Sequence, residues 1–125
     1  MILWITGNSR AGKTTLAKWL IEMLYNNAGI QPVWLDGDAM RRLWPELGYS
    51  MDDRALNNVR IARLASLLHD QGHTVIVSTI CPTKAIRDLV RGVCGIGTVK
   101  FVYLMGGKEP SAQYPYQGRQ PEENL

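Results

Sequence analysis

"GNSRAGKTT" (residues 7–15) stands directly behind the apolar run "MILWIT" (residues 1–6). Gly7, Gly12, Lys13 and Thr14 fit the spacing G-x-x-x-x-G-K-S/T. Glycines let the backbone curl until successive N–H groups face a β-phosphate, and a helix starting near Lys13 adds its N-terminal dipole. Lys13 can then reach the β- and γ-phosphates, and the Thr14 hydroxyl can ligate Mg²⁺. The motif gains weight from its context, a strand before it and a helix after it. Gly7, Asn8, Ser9, Arg10, Ala11, Gly12, Lys13, Thr14 and Thr15 are therefore expected to hold ATP with Mg²⁺.

Working outward, Ile2 to Thr6 is continuously apolar, as a strand covered on both faces should be. Leu16, Trp19, Leu20, Met23 and Leu24 recur at helical spacing, which predicts an apolar stripe on a helix closed by Gly29. "PVWLD" reads as a second strand and "GDAMRRLW" as a turn with a brief helix. Ser50 and Asp53 form a capping-box pattern ahead of a long helix. Its apolar face runs through Ile61, Leu64, Ala65 and Leu68, and Gly72 closes it. "TVIVSTI" is a third strand, Thr83 to Arg91 a further helix, and "VKFVYLM" a fourth strand. Strands alternating with helices predict a three-layer α/β fold, a short parallel sheet flanked by helices, of the P-loop NTPase kind. Residues 1–105 form the expected core. Residues 106–125, rich in Gly and Pro, form an expected irregular tail.

The whole chain excludes several classes. Its 125 residues suit one domain, and 46% hydrophobic with 20% charged residues is an ordinary globular balance. A formal net charge of +3 suits an anionic small molecule, but no Lys/Arg run argues for nucleic acid. No stretch approaches the roughly 20 apolar residues that cross a membrane. Cys81 and Cys94 have no metal-like spacing with His69 or His73, and two lone thiols without a targeting segment imply a cytoplasmic protein.

The phosphate must go somewhere. A switch would carry DxxG and NKxD, and a transporter motor an LSGGQ-like signature; none occurs. Asp36 and Asp38 instead stand at the carboxyl end of strand two, where open α/β sheets bind ligands. Two carboxylates beside a P-loop can hold Mg²⁺ and accept a proton from an attacking hydroxyl, although D-G-D is also a common turn sequence.

At this point the chain resembles the adenylylsulfate kinases, which phosphorylate the 3′-hydroxyl of adenosine 5′-phosphosulfate. The resemblance is carried in family order by "WITGNSRAGKTTLA", "WLDGDAMRR", "LGYSMDDRALNNVR" and "TICPTKAIRDLVR", across residues 1–104. It implies that Lys13 and Asp38 are catalytic and that Thr14 and Asp36 lie on the metal side. It further implies that Asp36, Asp38, Arg41, Tyr49, Arg54, Asn57 and Ile80 bind the acceptor. Arg41 and Arg54 would clamp the phosphosulfate and ribose, Tyr49 would stack on the adenine, and Ile80 with Pro82 would close over it.

Three departures follow. Cys81 replaces the family's Ser in its F-I-S-P loop and is expected to pack rather than react. The family's basic lid is missing after the fourth strand, with Lys108 and Arg119 as the available cations. The family's last strand and helix have no counterpart, so a bare sheet edge implies homodimer pairing. Two alternatives stay open beside the adenylylsulfate reading. One is a related kinase with another nucleotide-like or sugar acceptor, the other a weakly catalytic nucleotide-binding module.

Overall fold

The computed structural model describes residues 1–112 and 114–123. Its elements run β1 (Ile2–Gly7), α1 (Lys13–Ala28), β2 (Val33–Asp36), α2 (Gly37–Met40), a 3-10 turn (Arg41–Leu43), α3 (Met51–Asp70), β3 (Val75–Thr79), α4 (Lys84–Cys94), β4 (Val99–Leu104) and a last 3-10 turn (Pro121–Glu123). The four strands form one sheet in the order β2-β3-β1-β4, every pairing parallel.

Side chains alternate across the sheet, and each face meets its own helices. Ile2 and Trp4 of β1 join Val75 and Val77 of β3 against Ile61, Ala62 and Ala65 of α3 and Ile86 and Val90 of α4. Ile5 and Ile76 leave the other face and pack on α1. This three-layer arrangement leaves the carboxyl ends of all four strands at one rim, where the P-loop and Asp36 lie.

The inward face of α1 differs from the expected stripe. Ala17 is fully buried and Leu16, Leu20, Ile21 and Leu24 pack beside it, while Trp19 is 55% exposed. A small residue at 17 lets the first turn of α1 sit close to the sheet, rotating Trp19 outward. Gly29 ends α1 with φ 64°, as expected. The capping box at α3 is only half formed. Ser50 Oγ accepts from Asp53 N at 3.1 Å, but the Asp53 carboxylate reaches back to Gly48 N at 2.8 Å. Thr83 caps α4, which runs on three residues past Arg91, to Cys94.

The segment after β4 is mostly irregular yet closely tied to the core. Lys108 N donates to Ser9 O at 2.6 Å, and Asn8 Nδ2 donates to Lys108 O. A methyl group at Gly107 would run into Ser9 O and Ala11 N, so only glycine permits this approach to the P-loop. Further on, Gln117 N donates to Pro82 O at 2.6 Å. Glu123 is buried and accepts from Arg87 Nε at 2.8 Å, Arg91 Nη2 at 3.1 Å and the Tyr103 hydroxyl at 2.8 Å. Arg87, itself fully buried, also donates to Gly118 O and Cys81 O. Among the described residues no helix is long and apolar enough to cross a membrane.

Candidate functional site

Helix α1 begins differently from its neighbours. α3 and α4 each have a side chain on their first-turn N–H groups, Ser50 and Thr83. α1 has none: its N-cap is Gly12 at φ 101°, and its first turn holds no acidic residue. The amides of its first turn are left for an outside acceptor, which suits an anion. Lys13 Nζ donates to Gly7 O and Asn8 O, both at 2.9 Å, and so lies folded along the loop. Burial lowers its pKa, while the charges of Asp38 and Asp36 oppose that shift.

The P-loop borders a cleft of about 460 Å³ lined by Ser9, Gly12, Lys13, Thr14, Asp36 and Asp38, among others. Asp36 caps α2, with Oδ2 accepting from Ala39 N at 3.3 Å and Oδ1 accepting from Ser78 Oγ at 2.9 Å. Each of its oxygens keeps a lone pair for a further ligand.

A second cleft, of about 320 Å³, shares a wall with the first. Ser9, Asp38 and Ile80 line both. Arg41, Tyr49, Arg54, Asn58 and Tyr114 complete much of the second. Arg41 donates to Gly48 O at 2.8 Å and lies 4.2 Å from the Tyr49 ring centre. Arg54 is only 8% exposed and lies 4.9 Å from the Tyr114 ring centre. Among the described residues neither guanidinium forms an ion pair with a carboxylate. A nearly buried cation with no counter-ion is costly unless an anion arrives.

Of the residues singled out in the sequence, Asp38, Arg41, Tyr49, Arg54 and Ile80 are brought to this second cleft. Asn57 is not. It accepts from Trp44 Nε1 at 2.7 Å, and its neighbour Asn58 lines the cleft instead. One residue of difference turns a helical side chain by about 100°, which spacing alone does not resolve. The wall supplied by Lys108, Glu109, Ser111 and Tyr114 escaped the sequence reading, apart from Lys108 as a spare cation. Arg119 lines hollows elsewhere, on the β4 side of this segment.

The sulfur of Cys81 is buried, and burial pushes its thiol far above the usual range, so it packs as an inert group. Among the described residues, Arg10 (φ 65°) and Cys81 (φ 44°) are the two non-glycine residues with left-handed backbone, one at each cleft. Such conformations cost of order 1–3 kcal/mol and tend to gather at functional sites.

Known proteins resemble this chain along most of its length. The family described as adenylylsulphate kinase matches residues 1–110. Adenylyl-sulfate kinase of Shewanella amazonensis is 43% identical over 104 residues, which are 82% of this chain and 52% of that protein. A probable adenylyl-sulfate kinase of Pyrococcus abyssi is 41% identical over 102 residues, 81% of this chain and 58% of that one. The chain thus spans about half the length of the curated relatives it matches. Among solved structures, Mycobacterium tuberculosis APS kinase in complex with AMPPNP and APS superposes with a TM-score of 0.71 at 40% identity, covering 82% of this chain and 59% of that one. A Sinorhizobium meliloti gluconokinase, at 22% identity and a TM-score of 0.60, shares the fold, covering 84% of this chain and 57% of that one.

Proposed function

The chain belongs to the adenylylsulphate kinase family, and from that premise we propose that it transfers the γ-phosphoryl group of ATP to the 3′-hydroxyl of adenosine 5′-phosphosulfate. One observation carries the reading: two clefts share Asp38, and the second presents two guanidinium groups that form no ion pair with a carboxylate among the described residues. A donor anion on one side and an anionic acceptor on the other would then face each other across a single carboxylate.

The residues on the donor side fit Mg²⁺. Thr14 and Asp36 line the P-loop cleft, and among the described residues no cluster of three acidic, His or Cys residues could make an all-protein cage. One hydroxyl and one carboxylate beside a phosphate cradle match a small hard cation that keeps several waters. When bound, Mg²⁺ supplies charge neutralisation on the β- and γ-phosphates.

The chain's own residues do the rest. The α1 amides and Lys13 hold the phosphates in place, and Lys13 must leave Gly7 O and Asn8 O to do so. Asp38 accepts the proton of the attacking hydroxyl, which forms its bond to phosphorus as the bond to the departing ADP oxygen breaks. Arg41 and Arg54 fix the acceptor's anionic part, and Tyr49 offers an exposed ring for its base. Positioning and electrostatics are what such a transfer needs most. Residues 1–105 act as the kinase core, with the following segment as a wall of its acceptor cleft.

The test is ADP release from Mg-ATP with and without adenosine 5′-phosphosulfate. A strong acceptor-dependent rate supports the proposal. ATP binding with no acceptor-dependent release sinks it. A second reading, the same transfer to a different acceptor, draws on Glu109, a carboxylate in the acceptor cleft that favours hydroxyl-bearing over strongly anionic partners. A panel of nucleotide and sugar acceptors separates the two readings.

A further inference from the structure

β3 ends on Ser78 and Thr79, consecutive residues whose side chains leave opposite faces of the sheet. Each is buried, and each meets a tryptophan. Trp34 Nε1 donates to Ser78 Oγ at 2.9 Å, and Ser78 Oγ donates to Asp36 Oδ1 at 2.9 Å. Trp4 Nε1 donates to Thr79 Oγ1 at 2.9 Å, and Thr79 Oγ1 donates to Asn58 Oδ1 at 2.8 Å. An indole N–H can only donate, and a hydroxyl has one proton to give. Each hydroxyl therefore receives from its indole and passes its single proton to an acceptor at the site. The direction of both relays is settled by chemistry.

The second relay runs further. Because Asn58 Oδ1 is the receiving atom, its Nδ2 points the other way and donates to Arg54 O at 2.9 Å. The Asn58 amide thus ties the end of β3 to the turn of α3 that presents Arg54. Ser78 and Thr79 both line the P-loop cleft beside Asp36, but the Thr79 relay leads away from it, to Asn58 and Arg54 on the acceptor cleft.

We infer that Ser78 and Thr79 are paired positioning residues, Ser78 setting Asp36 on the donor side and Thr79 setting Asn58 and Arg54 on the acceptor side. The inference rests on the kinase reading above. It also divides that site into two separately tunable halves, governed by adjacent residues of one strand.

Isolated satisfaction of buried polar groups would lower stability when removed but would not split the kinetics by substrate. The split is the test. Ser78→Ala is expected to raise the Mg²⁺ concentration for half-maximal rate about tenfold, as loss of a residue orienting a metal ligand does, with the acceptor KM unchanged. Thr79→Val, which keeps the shape and loses the hydroxyl, is expected to raise the acceptor KM about tenfold, the equivalent of one good hydrogen bond, with the Mg²⁺ requirement unchanged. Thr79→Ser restores the hydroxyl and the KM.

A second readout does not depend on turnover. The indole ¹H–¹⁵N resonances of Trp4, Trp19, Trp34 and Trp44 are assigned by single Trp→Phe variants. Adding Mg²⁺ with a non-hydrolysable ATP analogue is expected to move the Trp34 signal, and adenosine 5′-phosphosulfate the Trp4 signal, while exposed Trp19 stays still. In the nucleotide-free protein Ser78→Ala shifts Trp34 alone. Equal kinetic losses from both variants, or indole signals indifferent to their own cleft's ligand, overturn the inference. If wild-type protein shows no acceptor-dependent turnover yet Trp34 still follows Mg²⁺-nucleotide, the proposed function fails and the donor relay stands.

Discussion

The two clefts that meet at Asp38 are assembled in opposite ways. The donor side comes mostly from one contiguous stretch, residues 9–15, completed by the ends of β2 and β3. The acceptor side gathers the turn after α2, the first turns of α3, the loop at residues 80–82, and Lys108, Glu109, Ser111 and Tyr114 from the segment after β4. A contiguous site owes its shape to local backbone, a glycine cap and one lysine. A dispersed site owes its shape to whatever holds distant segments in register. The first should lose function residue by residue; the second should lose function when an anchor far from the cleft is cut.

Lys13→Ala tests the contiguous side and carries the largest expected effect. Loss of a charge aimed at the transferring phosphoryl should lower turnover by about 10³-fold. Melting should barely change, since among the described residues Lys13 Nζ hydrogen-bonds to carbonyls of its own loop alone. Steady-state kinetics beside a thermal melt would decide it, and near-wild-type turnover would dissolve the distinction between the clefts.

Glu123→Gln tests the dispersed side from far outside it. Arg87 and Glu123 are buried together, and removing one charge strands the other at a cost of about 3 kcal/mol or more. Denaturant unfolding should show that loss. Nucleotide affinity should hold, because the P-loop does not touch this clamp, while the acceptor KM rises as the anchored wall loosens. Equal losses on both sides would mean that the segment supports the whole fold.

The same clamp makes a pH prediction. Burial works to raise the Glu123 carboxyl, but hydrogen bonds from Arg87, the Gln120 backbone N–H, Tyr103 and Arg91 together hold it at about 2, below its ordinary 4.5. A depressed folded-state value means the stabilisation is fully present above about pH 4.5. It is lost as pH falls through the folded value near 2. Acidification across that window should remove about 3 kcal/mol from the wild type and much less from Glu123→Gln.

The contrast between the clefts also explains what could be read from sequence. The P-loop declares itself because its geometry is local: Gly12 must take a left-handed backbone, and the helix must start at once. The parallel sheet is legible for a similar reason, since buried strands such as Val75–Thr79 read as unbroken apolar runs ending in small polar residues. Trp19 was misplaced because one apolar stripe fits two rotations of α1, and only the close approach of Ala17 chooses between them. Glu123 offered no signal at all. Its partners Arg87 and Arg91 lie more than thirty residues away on another element, and nothing in a Pro-rich tail marks one carboxylate as buried. Ser78 and Thr79 carry no signal beyond that of ordinary strand-end residues, because the indoles that reach them, Trp34 and Trp4, lie on other strands.

The adjacent asparagines of α3 give the finest test. Asn57 packs away from the acceptor cleft, and among the described residues its side chain accepts from the Trp44 indole at 2.7 Å. Asn57→Ala should cost about 1–2 kcal/mol of stability by leaving that N–H unmatched, with both substrate constants unchanged. Asn58→Ala removes a comparable amount of bonding but also frees Arg54 from the end of β3, so the acceptor KM should rise with ATP affinity intact. The two variants differ by one residue and hardly at all in composition or helix propensity. If both change stability alone, the acceptor cleft does not depend on the Thr79–Asn58 tie. If only Asn58→Ala moves the acceptor constant, a single helical step of about 100° separates a packing residue from one that shapes the site.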